Sequence, residues 1–270
     1  MRPSTGLRAG GLSRWHDLEQ RAGRSSWSLF AAEAVGTALL LMGGLSAVIL
    51  LVSPASPLAA LHLPGWAARA FAGALFGLTG TAVTLSPVGR HSGAHINPAV
   101  TLAFLLRGRI SASHAAGYVA GQALGAVVGA AAVLAWGPLG RPLGFGVTIP
   151  AAGLSPIAAA GLEALCTVAL VAIIFSFLSR ASWRRFTPWT MGPLYAFMVS
   201  VEAPLTGTST NPARSLGPAL VTDTWAGFWV YLVGPLLGAV VGVFLARLLV
   251  WGEHQLVEGR LVTHRDSPHR

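Results

Sequence analysis

The sequence has no lysine, one cysteine and only nine acidic residues in 270 positions. The lone thiol, Cys166, excludes an internal disulfide and a metal site built on paired cysteines. Charged residues are 10% of the chain, against about 25% in a soluble globular protein, which argues against an ordinary soluble enzyme. There is no Ser/His/Asp set, paired aspartate or His-Glu-x-x-His arrangement. The sequence therefore offers no catalytic residue, and neither a metal nor a cofactor is expected.

Apolar residues are abundant, at 53%, together with 33 glycines and a mean hydropathy of +0.63. This composition suits a chain whose solvent is lipid. All 18 basic residues are arginine, and the formal net charge is +9. In a soluble protein that excess would suggest nucleic acid. The positions of the arginines decide between the two readings.

Residues 1–27 form a polar tail, and the apolar run 28–52 follows. At about 25 residues this run is too long for a signal-peptide core, and no clear cleavage site follows it. Further runs of membrane length cover 67–88, 113–136, 156–178, 187–205 and 226–250. The fifth of these six spans is the weakest, interrupted by Pro193 and Glu202. Two apolar pieces, 97–106 and 211–221, are half as long: ten or so helical residues reach about 15 Å. Each begins with one tripeptide, Asn97-Pro98-Ala99 or Asn211-Pro212-Ala213. Asparagine is a favoured helix N-cap and proline a favoured first helical residue. Both pieces therefore read as half-helices with defined starts.

The chain also repeats itself. Ala32-Glu33-Ala34-Val35-Gly36-Thr37 echoes Leu162-Glu163-Ala164-Leu165-Cys166-Thr167, each with glutamate and threonine on one helix face. Each half runs span, span, half-helix, span. Three full spans per half is odd, so the second half inserts inverted. The expected fold is all-α: six transmembrane helices plus two re-entrant half-helices in an inverted 3+3 repeat. With the N-terminus inside, 15 of 18 arginines fall on the cytoplasmic side, and only Arg69, Arg141 and Arg214 on the outer side. The charge tracks membrane sidedness, and no nucleic-acid partner is expected. Arg69 and Arg141 read as outer-side charges without a special role. The expected organisation is a cytoplasmic tail at 1–27, a membrane domain at 28–250 with repeats near 28–136 and 156–250, and a second cytoplasmic tail at 251–270.

Two half-helices entering from opposite faces can meet near the midplane, each presenting a partly positive N-terminus. The Asn97 and Asn211 amides can cap their helices and still offer N–H groups to a solute. Such a junction repels cations while donating to a neutral molecule. The approaches, Gly93-Ala94-His95-Ile96 and Gly207-Thr208-Ser209-Thr210, are expected to be extended. Their carbonyls need partners at membrane depth, where non-helical backbone is tolerated only if buried or lining a water-filled cavity.

The stretches Ser92-Gly93-Ala94-His95-Ile96-Asn97-Pro98-Ala99-Val100-Thr101 and Gly207-Thr208-Ser209-Thr210-Asn211-Pro212-Ala213-Arg214-Ser215 resemble the two signature loops of the aquaporin (major intrinsic protein) family. The resemblance covers about residues 28–250 and is closer to water channels than to glycerol facilitators. It implies a cell-membrane homotetramer with a separate pore in each subunit, both termini cytoplasmic, passing water and small neutral solutes and excluding protons and ions. It also implies an outer constriction of Phe76, Val199, Thr208 and Arg214, and pore-lining carbonyls at Gly93, Ala94, His95, Gly207 and Ser209. Val199 departs from the histidine typical of water-selective members. Ser215 and Ala219 depart from the glycerol-facilitator pattern, Tyr231 agrees with the water-channel pattern, and Leu232 stands in place of an expected tryptophan. Glu33 and Glu163 are expected to brace the loops. A glycerol or other small-solute facilitator is the alternative within the fold. A proton-coupled transporter using Glu33 or Glu163 is the remoter one.

Overall fold

A computed structural model describes residues 26–249. The two tails expected to be cytoplasmic, 1–27 and 251–270, lie outside the described residues apart from positions 26 and 27. Among the described residues there are helices and connecting turns and no strand. The elements are α1 (Ser26–Val52), α2 (Gly65–Leu85), a short α3 (Pro87–Ser92), α4 (Pro98–Leu106), α5 (Ala112–Val133), α6 (Pro156–Leu178), α7 (Met191–Thr206), α8 (Pro212–Val221) and α9 (Val230–Leu249).

Helices α1, α2, α5, α6 and α9 are each long and apolar enough to cross a membrane. The fifth span differs from expectation. Regular helix covers only the 16 residues of α7, and the tighter turn Arg184–Thr190 extends it at its N-terminal end. Pro188 sits in that extension, which has no side-chain N-cap. Together the two pieces still reach across about 30 Å of hydrocarbon. The half-helices α4 and α8 have nine and ten residues. Laid end to end, they amount to about one bilayer thickness.

The packing carries the internal symmetry. Helix α1 lies on α5 as α6 lies on α9, and α2 pairs with α7 across the pseudo-twofold relation. Half-helix α8, from the second repeat, packs on α5 of the first, while α4 packs on α9. Neither repeat closes around its own half-helix.

Glycines spaced at four residues make the tight contacts. A Cβ on Gly121 or Gly125 of α5 would strike the Phe30 or Ala34 carbonyl of α1. Gly234 and Gly238 of α9 meet the Ala160 and Ala164 carbonyls of α6 in the same way. With no hydrophobic force between helices in lipid, this close backbone approach is what packs them together. Gly161, by contrast, faces open space. We predict that Gly125→Leu destabilises the purified protein by at least about 1–3 kcal/mol through overpacking, whereas Gly161→Ala is neutral or stabilising by up to about 1 kcal/mol. Thermal unfolding in detergent measures both, and equal midpoints for the two variants would contradict the packing account.

Candidate functional site

Asn97 and Asn211 occupy extended N-cap positions, with φ of −158° and −146°. The Asn97 Oδ1 accepts from the Ala99 N–H at 2.8 Å, and the Asn211 Oδ1 accepts from Ala213 at 3.0 Å and Arg214 at 3.3 Å. Pro98 and Pro212 fill the first helical position, where no N–H is required. Each amide also reaches across the repeat boundary. The Asn97 Nδ2 donates to the Thr210 carbonyl and the Asn211 Nδ2 to the Ile96 carbonyl, both at 2.9 Å. One N–H per amide is thereby committed to the opposite loop. Both asparagines line an inner cavity of about 50 Å³, together with His95, Ile96 and Val100.

The two approach segments are not simply extended. Gly93, Ala94 and Ile96 have φ of 95°, 53° and 43°, and Gly207, Thr208 and Thr210 repeat the pattern at 86°, 51° and 50°. Left-handed backbone at alanine, isoleucine and threonine costs about 1–3 kcal/mol per residue and needs surrounding structure to impose it. Two carboxylates meet that need. Glu33 accepts from the N–H groups of His95 and Ile96 at 3.0 and 2.7 Å, from Ser92 Oγ at 2.7 Å and from Gln122 Nε2 at 2.8 Å. Glu163 accepts from the N–H groups of Ser209 and Thr210 at 2.9 and 2.7 Å and from Thr206 Oγ1 at 2.8 Å. Both glutamates are fully buried. The left-handed turns aim successive N–H groups at the glutamates. The carbonyls of Gly93, Ala94 and Gly207 have no hydrogen-bond donor among the described residues.

His95 Nδ1 lies 3.2 Å from Thr101 Oγ1, and its ring stacks on Phe104 at 4.4 Å. His91 and His114 pair with serines at the helix ends. Cys166 packs half-buried against the core.

Phe76, Val199, Thr208 and Arg214 come together around an outer cavity of about 300 Å³, with Gly207 also in its wall. The guanidinium of Arg214 donates from Nη1 to the Gly146 carbonyl at 2.5 Å and stands 5.9 Å from the centre of the Phe76 ring. The Nε of Arg214 and the Oγ1 of Thr208 are buried without a partner among the described residues. Ala219 is buried in α8. Arg69 corrects an expectation: it lines the same cavity and donates from Nε to the Ser200 carbonyl at 3.2 Å. Its place at the outer end of α2 turns it inward. Arg141 is exposed.

Several participants lie outside the signature loops. Gly146 holds the acceptor for Arg214 with φ of 90°, and a Cβ there would strike Leu45. Thr148, Ser215 and Ser209 form a hydroxyl chain, with contacts of 2.7 and 2.6 Å, that ends on the Asn211 carbonyl. Tyr231 Oη donates to the Thr206 carbonyl at 2.7 Å. Glu202, which in sequence only interrupts a span, is buried with its Oε1 2.5 Å from Thr206 Oγ1. Thr206 has one hydroxyl proton, so Glu163 and Glu202 compete for it. Tyr118 donates to the Ser92 carbonyl. Gly146, Thr148, Tyr231 and Tyr118 lie 25 or more residues from what they hold, whereas Glu202 is four from Thr206. The signal that could have pointed to them is the unusual presence of polar residues inside apolar runs.

The fold and site define a passive membrane channel built as an inverted repeat around two opposed half-helices. The family model described as major intrinsic protein matches residues 21–246, and the chain belongs to that family. It is 36% identical over 225 residues to aquaporin TIP4-1 of Zea mays, spanning 81% of this chain and 84% of that protein. It is 35% identical over 179 residues to glycerol uptake facilitator protein-like 6 of Lactiplantibacillus plantarum, spanning 63% of this chain and 82% of the relative. A match to the probable aquaporin TIP3-2 of Arabidopsis thaliana, at 34% identity, spans 68% of this chain and 66% of the relative. The X-ray structure of the aquaglyceroporin from Plasmodium falciparum superposes with a TM-score of 0.65 at 21% identity, over 83% of this chain and 97% of that one. That likeness is one of fold. Family members of this kind are channels, so the protein is not an enzyme.

Removing a buried acceptor tests the loop geometry. Glu33→Ala leaves two buried backbone N–H groups unpaired, at about 1–3 kcal/mol each, and is expected to lower stability by about 2–6 kcal/mol. Glu163→Ala is expected to act alike. Thermal unfolding of the detergent-purified protein reads both, and unchanged midpoints would show that the carboxylates do not hold the loops.

Proposed function

We propose that the protein is a passive pore for water, with small neutral solutes as further passengers, and that it excludes protons and ions. The observation that carries this reading is the inner cavity, where two capping asparagines meet at the N-termini of opposed half-helices. Each retains one amide N–H, and a molecule at the junction faces two partly positive helix ends. Water can exchange hydrogen bonds with those N–H groups and with the open carbonyls of Gly93, Ala94 and Gly207, while a cation meets repulsion. His95 and Ser209 belong to the same two loops in this reading.

Phe76, Val199, Thr208 and Arg214 form the outer selectivity region. Arg214 supplies the fixed charge there, and Thr208 Oγ1 is a free polar partner for a solute. Glu33 and Glu163 brace the loops. Their oxygens are occupied by loop and side-chain donors, which favours bracing over a proton-carrying transport cycle.

The membrane domain comprises residues 28–250 in two repeats, with both tails cytoplasmic. The arginine distribution supports that orientation and a multi-pass cell membrane location. The homotetramer follows from the family resemblance, and both cavities lie within one chain, so each copy carries its own pore.

Reconstitution provides the test. Vesicles containing the protein and given an osmotic step with impermeant sucrose are expected to shrink markedly faster than empty vesicles. A rate equal to that of empty vesicles, with folded protein present, would reject the reading, and a flux driven by a pH gradient would favour a transporter. Arg214→Val is expected to raise proton or ammonium leak by at least about tenfold, equivalent to about 1.4 kcal/mol of lost barrier.

A further inference from the structure

The outer and inner cavities share two lining residues, Phe76 and Tyr195, and no other described residue lines both. These two side chains therefore stand where the cavities adjoin. Phe76 comes from α2 and Tyr195 from α7, and their rings stack with centroids 5.5 Å apart and planes 26° apart.

Both rings are held. Gly44 presents no side chain to the Phe76 ring, which occupies the space a Cβ there would need, while the Arg214 guanidinium stands over the same ring. The Tyr195 hydroxyl lies 2.9 Å from Thr210 Oγ1. The Thr210 hydroxyl itself donates to the Ser209 carbonyl at 2.7 Å, so the phenol is the donor in the first contact. Tyr195 is thus tied to the loop that leads into Asn211. It stands one helical turn before Val199 and on the same face of α7.

We propose that Tyr195, stacked on Phe76, is a second and deeper size filter that passes water and holds back polyols such as glycerol. This deepens the channel reading and rests on it. Valine at 199 leaves the α7 side of the outer constriction small, and the outer cavity is roomy. The discrimination that a bulky residue at 199 would supply falls one turn deeper, at the aromatic pair. Water can pass with one partner at a time, including the free lone pair of the phenol oxygen. A polyol must bring several hydroxyls and its carbon chain past ring faces that offer those hydroxyls no partner.

The full-length protein, Tyr195→Val, Tyr195→Leu and Tyr195→Phe are compared in phosphatidylcholine vesicles by light scattering after osmotic steps with sucrose and then with glycerol. In the unaltered protein, water flux exceeds that of empty vesicles while glycerol entry stays close to theirs. Tyr195→Val raises the ratio of glycerol to water entry about tenfold or more, the scale on which a pocket wall discriminates by a few methylenes. Tyr195→Leu raises it less, and Tyr195→Phe, which keeps the ring, leaves glycerol excluded. If the valine variant is not recovered folded, the leucine variant decides on the same ratio. Rapid glycerol entry through the unaltered protein overturns the filter and leaves the channel reading standing. So does an unchanged ratio in a variant that still conducts water. No water flux in the unaltered protein rejects the channel reading itself.

Discussion

Non-helical backbone at membrane depth must find hydrogen-bond partners inside the protein, and that requirement organises everything else here. Glu33 and Glu163 supply those partners from the first helix of each repeat, and each receives consecutive N–H groups of one loop. Once the N–H groups are drawn to one side, left-handed residues become unavoidable and the remaining carbonyls turn the other way. The caps, the proline starts and the cross-linked asparagines all depend on loops held in that shape. A buried carboxylate is expensive in lipid, and several directed hydrogen bonds offset that cost.

Much of this architecture is legible in the sequence because it is written in local chemistry. The half-length apolar runs, the Asn-Pro starts and the paired glutamates are each read within a few residues, and the inverted order follows from counting spans. The arginine distribution gives the expected orientation by the same kind of counting. The four residues around the outer cavity come from the family resemblance, and the structure places them together.

What escaped is long-range. Gly146 meets Arg214 across 68 positions, Thr148 meets Ser215 across 67, and Thr206 meets Glu163 across 43. No periodicity announces such pairs. Tyr195 escaped for a different reason: an aromatic residue in an apolar helix is usually packing, and only its place between two cavities distinguishes it. Arg69 reads in sequence as an outer-side charge without a special role, and counting could not show that it lines the outer cavity. The approach segments looked extended because alanine, isoleucine and threonine resist the left-handed region, and a buried acceptor overrides that preference.

The exchanged asparagine contacts have a consequence for biogenesis. Asn97 and the Thr210 carbonyl are separated by 113 residues of chain. At about 5–20 residues per second, the first loop exists for roughly 6–23 s before the ribosome delivers its counterpart. Through that interval the Asn97 amide and the Ile96 carbonyl lack their partners in the second loop, and α4 has no α9 to lie against. The contacts that lock the first loop therefore wait for the second half of the chain.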